Sequence, residues 1–297
     1  MHTLTFFPLG NADCTRIELA NGRTLLFDYA NMCCEDDPND KRCNLPELLR
    51  DRLKATGKDY YDVVAYTHLD NDHICGSPDF FYFEHAAKYQ TESRIKIGEL
   101  WVPAAAITEE GCEDDARVIR AEARYRFIEG RGIRVFSRPD HLKAWAESAG
   151  IDLETRRHLI VDAGTLVPGL TLTSDGFEVF VHSPFAERTE GAVIDRNDSS
   201  IVVQATFQVD AALTRMLLMS DITHETISGI VRVTKYHGNE ARLKHDIAKL
   251  PHHCSYTALS TEKGDEETVP VEAARYAFQT WNTTKTKWTR WYWRYFS

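Results

Sequence analysis

Residues 67–73 read Thr-His-Leu-Asp-Asn-Asp-His and set four side chains able to bind a metal ion, His68, Asp70, Asp72 and His73, within six positions. Imidazole nitrogen and carboxylate oxygen are common donors to zinc and manganese, and packing alone gives no reason to concentrate them. In an extended segment alternate residues point the same way, so His68 and Asp70 can converge on one ion. A turn at Asn71 then sends Asp72 and His73 towards a second. Two ions about 3.5 to 4 Å apart suit in-line displacement at phosphorus, because they acidify water and hold both the attacking and leaving oxygens. The reading without chemistry is a polar loop that carries two histidines by chance.

Such a cluster needs rigid elements to hold it. The apolar run before it, YDVVAYTH, has the length and composition of a buried strand. Upstream, LTFFPL, CTRIELA and RTLLFDYA read as three strands opening a sheet, the last two joined by Asn21-Gly22, a type I′ hairpin signal. LPELLRDRLKATG places Leu45, Leu48, Leu49 and Leu53 at helical spacing and stops at Gly57. Downstream the pattern predicts a helix around 83–90, a strand KIGELWVP, a charged helix over 113–129, a strand GIRVFS and a helix in PDHLKAWAESAG. FEVFVHSP, SSIVVQATFQV and TRMLLMSD read as strands, 222–236 as a helix, and DIAKLPHH as the last strand. Strands, then helices, then strands and a helix again define an α+β architecture of two mixed sheets flanked by helices.

Composition narrows the class. A chain of 297 residues can bury about three quarters of its unfolded surface and needs no disulfide staples. Its apolar runs fall short of the roughly 18 residues of a membrane span, and the first residues lack a signal peptide's basic start and apolar centre. Seven scattered cysteines suit free thiols in a reducing compartment, so the expected location is the cytoplasm, with no membrane association. A net charge of −10, from 35 basic and 45 acidic residues, argues mildly against holding nucleic acid by bulk charge. Residues 273–297 stand apart electrostatically: Arg275, Lys285, Lys287, Arg290 and Arg294 lie there with no acid. The expected organisation is one domain over 1–272 and a basic, aromatic tail over 273–297.

THLDNDHICG resembles the HxHxDH signature of the metallo-β-lactamase fold, in an HxDxDH variant similar to the hydrolase domain of the ComEC family of DNA-uptake proteins. Other segments match in order. FFPLGNADCTRIELANGRTLLFDYA resembles the family's opening strands, with Gly10-Asn11-Ala12-Asp13 at its Gly-x-Gly-Asp turn and Asp28 ending the third strand. HSPF, NDSSIVVQATF, MLLMSDITHE and LPHHCSYTALS resemble the later motifs. The resemblance covers about half the chain and implies an αββα sandwich with a binuclear metal site.

It also nominates three more ligands at strand ends, His182, Asp221 and His252. His68, Asp70 and His182 would serve one ion, and Asp72, His73 and His252 the other. Asp221 would be shared, since each carboxylate oxygen can bind one ion. A capping role is the alternative for His182, and a solvated strand end the alternative for Asp221. Adjacent side chains of a strand face opposite ways, so one of His252 and His253 is the direct ligand; motif position favours His252. The catalytic assignments are Asp72, whose removal is expected to abolish turnover, and His253, expected to touch the scissile phosphate or orient a ligand. A hydrogen-bonded structural role is the other reading of His253. Asp13 and Asp28 are expected to order the loop by hydrogen bonding.

Two positions depart from the family's pattern. Asp70 stands where a His is usual, which moves metal preference from zinc towards manganese or magnesium. Cys254 stands where a Gly is usual, read here as a small buried side chain. Cys33, Cys34 and Cys43 fit no standard zinc spacing and read as a solvated loop. Glu225 suits a helix start, residues 197–200 a cap or an approach to the site, and Trp101 and Trp145 the core.

The expectation is a metal-dependent hydrolase with two divalent ions, zinc or manganese, and DNA or another phosphodiester as substrate. A partner protein in a DNA-processing or defence system is a further expectation. The alternatives are hydrolysis of a small lactone, thioester or cyclic nucleotide, and a degenerate binding subunit. The tail, with aromatics between Arg and Lys, could stack single-stranded nucleic acid or pack on the domain.

Overall fold

A computed structural model of the chain describes residues 1–34, 36–186, 195–265 and 267–280. The basic, aromatic segment from 281 onward lies outside the described residues, and with it the reading of the tail as a nucleic-acid contact. The described residues fall into two compact units, 1–161 with 195–196, and 162–186 with 197–280. Each is built on its own mixed sheet with helices, so the fold class expected from the sequence is the one the chain adopts.

The first unit carries a seven-stranded sheet of sequential order, β1 (Thr3–Phe6), β2 (Thr15–Glu18), β3 (Thr24–Phe27), β4 (Tyr60–Ala65), β5 (Lys96–Pro103), β6 (Ile133–Phe136) and β7 (Ile160–Val161). The first three strands form the predicted antiparallel meander, and β3 to β7 run parallel. Parallel strands are covered on both faces, which explains why Leu25, Leu26, Val63, Val64, Leu100, Trp101 and Val102 are all buried. The helices are α1 (Leu45–Ala55), α2 (Asn71–Ile74), α3 (Ser77–Phe80), α4 (Ala105–Thr108), α5 (Asp114–Glu129) and α6 (Asp140–Ser148).

Helix α1 follows from its sequence. Asn44 accepts a hydrogen bond from the Glu47 amide at 3.2 Å, and Leu45, Leu49 and Leu53 form its buried stripe. Each of those leucines contributes about 1.5 to 3 kcal/mol relative to exposure. Gly98 in β5 is a glycine for steric reasons: a Cβ there would stand 2.8 Å from the Asp62 carbonyl oxygen of β4.

Two local expectations are corrected. The β2–β3 hairpin forms, but only Gly22 takes positive φ (88°), and the Gly22 amide donates to Leu19 O at 2.9 Å while Leu19 donates to Arg23 O at 2.8 Å. That is a three-residue loop with a glycine bulge, and Asn21 instead accepts from the Arg23 amide at 3.1 Å. The helix predicted around 83–90 is a single 3-10 turn at Ala87–Tyr89, because Phe83 and Tyr89 are drawn into the core as separate anchors.

The second unit carries a four-stranded sheet ordered β11 (Ile247–Lys249), β10 (Ala212–Leu218), β9 (Val202–Val209), β8 (Phe177–Ser183). β8, β9 and β10 are antiparallel, and β11 lies parallel to β10. Its helices are α7 (Leu172–Asp175), α8 (His224–Tyr236) and α9 (Glu272–Arg275). Ile227, Ile230 and Val231 of α8 pack with Leu217, Met219, Ala274 and Ala277, so residues 274 and 277 belong to this core. The last predicted strand is shorter than expected: β11 ends at Lys249, and His252–Cys254 form a 3-10 turn.

Among the described residues no helix is long and apolar enough to cross a membrane. None of the seven cysteines is paired in a disulfide among the described residues.

Candidate metal centre

In the first unit, β3, β4 and β5 run parallel, so the segments leaving their carboxyl ends gather at one edge of the sheet, where open α/β sheets place their ligands. Asp28 comes directly after β3, residues 67–73 after β4, and α4 with Glu109 after β5. Asp13 reaches the same edge from before β2, since Thr15 pairs with Phe27.

Asp28 is the anchor of the loop. It sits at φ 58°, a left-handed conformation that Asp adopts more readily than most residues. One carboxylate oxygen accepts from the Thr67 amide at 2.7 Å, and the other accepts from the Thr67 hydroxyl at 2.8 Å and from His73 Nδ1 at 2.9 Å. Backbone bonds finish the attachment: Tyr29 N donates to His73 O at 3.0 Å and Asp13 N to Asp72 O at 2.8 Å. Asp28 therefore orders the loop by hydrogen bonding, as expected. The ligand atoms of Asp13, Asp28 and His73 lie within 4.8 Å of one another, as do those of Asp72 and His73.

The chain stays extended to Asp70 (φ −77°, ψ 150°) and turns into α2 at Asn71, where the sequence placed the turn. His68 and His73 are both buried, with ring centroids 4.0 Å apart. His68 Nε2 lies 3.6 Å from Asp70 Oδ2. The adjacent His68 and then Arg196 hold the Asp70 carboxyl down at about 2, against the opposing effect of burial.

Arg196 escaped the sequence reading. Its Nη1 donates to Asp70 Oδ1 and to Leu69 O, each at 2.9 Å, while Nε and Nη2 grip Glu109 at 3.0 and 2.7 Å. Nothing local in the sequence signals that contact, since 126 positions separate Arg196 from Asp70.

In the second unit Asp221 is buried just beyond β10, after Ser220 at φ 47°. His253 Nε2 lies 3.0 Å from Asp221 Oδ2, and the ligand atoms of this pair are within 4.8 Å. His252 instead turns its Nδ1 to the Thr257 hydroxyl at 3.1 Å, and its amide donates to Ser220 O at 2.9 Å. The structure thus brings His253, rather than His252, beside Asp221. The physical reason is the backbone: His252, His253 and Cys254 take φ of 51°, 49° and 67°, so the alternation of a strand does not apply. Cys254 occupies a conformation that Gly takes without cost, and its half-buried thiol has its pKa pushed up by desolvation.

His182 is buried at the end of β8, where its Nε2 donates to Arg242 O at 3.0 Å. That bond makes Nδ1 the nitrogen with the lone pair, and this buried atom has no hydrogen-bond partner among the described residues. Burial lowers the His182 pKa to about 4, which keeps the ring a neutral donor. In the 197–200 segment, Asp198 accepts from the Thr223 hydroxyl at 2.8 Å and from the Thr226 hydroxyl, which ties this segment to the first turn of α8 through side chains.

The donors fit a divalent ion. Two ligands on one tetrahedral ion with bonds near 2.1 Å stand about 3.4 Å apart, close to the separation of His68 Nε2 and Asp70 Oδ2. The carboxylate behind His73 and the carbonyl behind His182 are the partners that metal-bound imidazoles characteristically have.

No protein-family profile matches the chain, and no curated protein does. Among solved structures it is similar to a metallo-β-lactamase bound to 2-mercaptoethanesulfonate, at 12% identity over 84% of this chain and 76% of that one, with a TM-score of 0.39. It is also similar to a subclass B3 metallo-β-lactamase of Bradyrhizobium japonicum, at 15% identity over 90% and 83%, TM-score 0.35. A diphosphatase from the PhnP family matches at 10% identity over 83% and 72%, TM-score 0.29. At such identities and scores, chemistry is assigned from this chain's own residues.

Proposed function

We propose that the chain is a metal-dependent hydrolase whose ligand set, His68, Asp70, Asp72, His73, His182, Asp221 and His252, holds two divalent ions, zinc or manganese. The observation that carries this reading is the loop at 67–73, in which four ligand-type side chains are concentrated and His73 is oriented from behind by the Asp28 carboxylate. Divalent ions held there would supply Lewis acidity towards a phosphoryl oxygen and acidify water. The residues themselves bind and orient. Asp28 fixes the His73 ring and the Thr67 amide, and the His182 carbonyl bond keeps Nδ1 as its donor. His253, 3.0 Å from Asp221, is placed to orient that carboxylate or to contact substrate.

The preferred substrate is a phosphodiester, with DNA first, on the strength of the HxDxDH motif. Labelled single- and double-stranded DNA incubated with the protein and manganese or zinc tests this: cleavage is expected, and Asp72→Ala should abolish it. Absence of cleavage with every divalent metal, or cleavage unchanged in Asp72→Ala, contradicts it. The net charge of −10 favours a second reading, a small ester, lactone or cyclic nucleotide, which a substrate panel with the same variant separates.

A further inference from the structure

We propose that Arg196 is a positioning residue for Asp70 and that, through Asp70, it sets the affinity of one of the two metal ions; this rests on the metal-binding reading above. An arginine near a phosphoryl-transfer site would ordinarily be read as a phosphate clamp. The geometry argues otherwise. Of the five N–H donors of a guanidinium, Nη1 gives two, to Leu69 O and Asp70 Oδ1, and Nε and Nη2 each give one to Glu109. Four donors are thus spent inside the first unit.

Asp70 needs such a partner. It precedes α2, yet its side chain makes no capping hydrogen bond to that helix, and it is 39% exposed. With Oδ1 on Arg196, Oδ2 is turned towards His68 Nε2 at 3.6 Å, the arrangement that lets the two side chains share an ion. Glu109 completes the logic. It sits on the far side of the guanidinium, so the triad of Asp70, Arg196 and Glu109 keeps one net negative charge. The arginine therefore orients Asp70 without cancelling its attraction for a cation. Partners behind a ligating carboxylate typically change metal affinity about 10- to 100-fold when removed.

The test is titration of the metal-free, full-length protein with Mn²⁺ in competition with a fluorescent chelator, alongside a thermal melt without metal. Wild type should bind two ions. Arg196→Ala should weaken one binding step about 10- to 100-fold and leave the other within about two-fold. Arg196→Lys, which keeps the charge but loses the fork, should fall between, and Glu109→Gln should weaken the same step by less. Should Arg196→Ala lower the melting temperature, Arg196→Lys carries the test on its own, since a merely structural role would not move one step selectively. Unchanged affinities, or an equal loss at both steps, in a variant that melts like wild type overturn the positioning role. A wild-type protein that binds no ion overturns the metal-binding reading itself, an outcome distinct from the first.

Discussion

His73 gives its Nδ1 hydrogen to Oδ2 of Asp28 across 2.9 Å, and both side chains are buried. The bond fixes the tautomer and the ring plane, and it leaves Nε2 as the nitrogen with the lone pair. The carboxylate that does this lies 45 positions upstream, at the end of a neighbouring parallel strand. A ligand histidine held in this way arrives already oriented, so an ion is spared the cost of ordering it.

Asp28→Asn tests that orientation. Asn tolerates the left-handed φ of 58°, so the backbone is spared while the charged acceptor is lost. Metal titration should show binding at Asp72 and His73 weakened about 10- to 100-fold, with a much smaller change in melting temperature. Wild-type affinity in this variant would show that the carboxylate serves the fold alone.

Cys254→Gly should stabilise the protein. A side chain in the left-handed region costs about 1 to 2 kcal/mol, and the greater freedom of Gly in the unfolded chain returns about 0.5 to 1 of that. At φ 67° the net gain is about 0.5 to 1 kcal/mol, a rise of roughly 1 to 3 °C in melting temperature. Cys254→Val, β-branched at the same φ, should lower it. A clear drop for the glycine variant would show that packing of the half-buried thiol outweighs the backbone.

His245 predicts a pH dependence. It is buried, and desolvation lowers its pKa from the ordinary 6.5 despite its bond to Leu243 O at 3.1 Å. The unfolded chain therefore takes up the proton first as pH falls. The stability contribution is complete above 6.5 and is lost below it, at up to about 1.4 kcal/mol per pH unit, until the folded-state pKa is reached. Urea melts at pH 7.5 and 5.5 should show wild type losing its advantage over His245→Gln at the lower pH. An equal gap at both values would remove His245 from the acid response.

What the sequence revealed and what it hid divide along physical lines. Periodicity exposed α1 and α8, because burial of one helix face repeats at 3.6 residues, and short apolar runs exposed the strands, most of which are buried on both faces. The turn at Asn71 was legible in the density of polar residues after a buried strand. The grip of Arg196 on Asp70 and Glu109 left no local trace, since it depends on tertiary closure. Which of His252 and His253 stands beside Asp221 depended on dihedral angles: with three successive residues at positive φ the alternation of a strand does not apply, and His253 is the one at 3.0 Å. Asn21 likewise signalled a hairpin without specifying that Gly22 alone would take positive φ.

In the proposed centre, His68, Asp70, Asp72, His73, His182, Asp221 and His252 would hold two divalent ions. Elemental analysis of the purified full-length protein, dialysed against trace zinc and manganese, tests it most directly. The expected result is close to two ions per chain, falling to about one in His68→Ala and to less than one in Asp221→Ala, whose carboxylate would serve both. Metal content at background in wild type, or undiminished in Asp221→Ala, would contradict it.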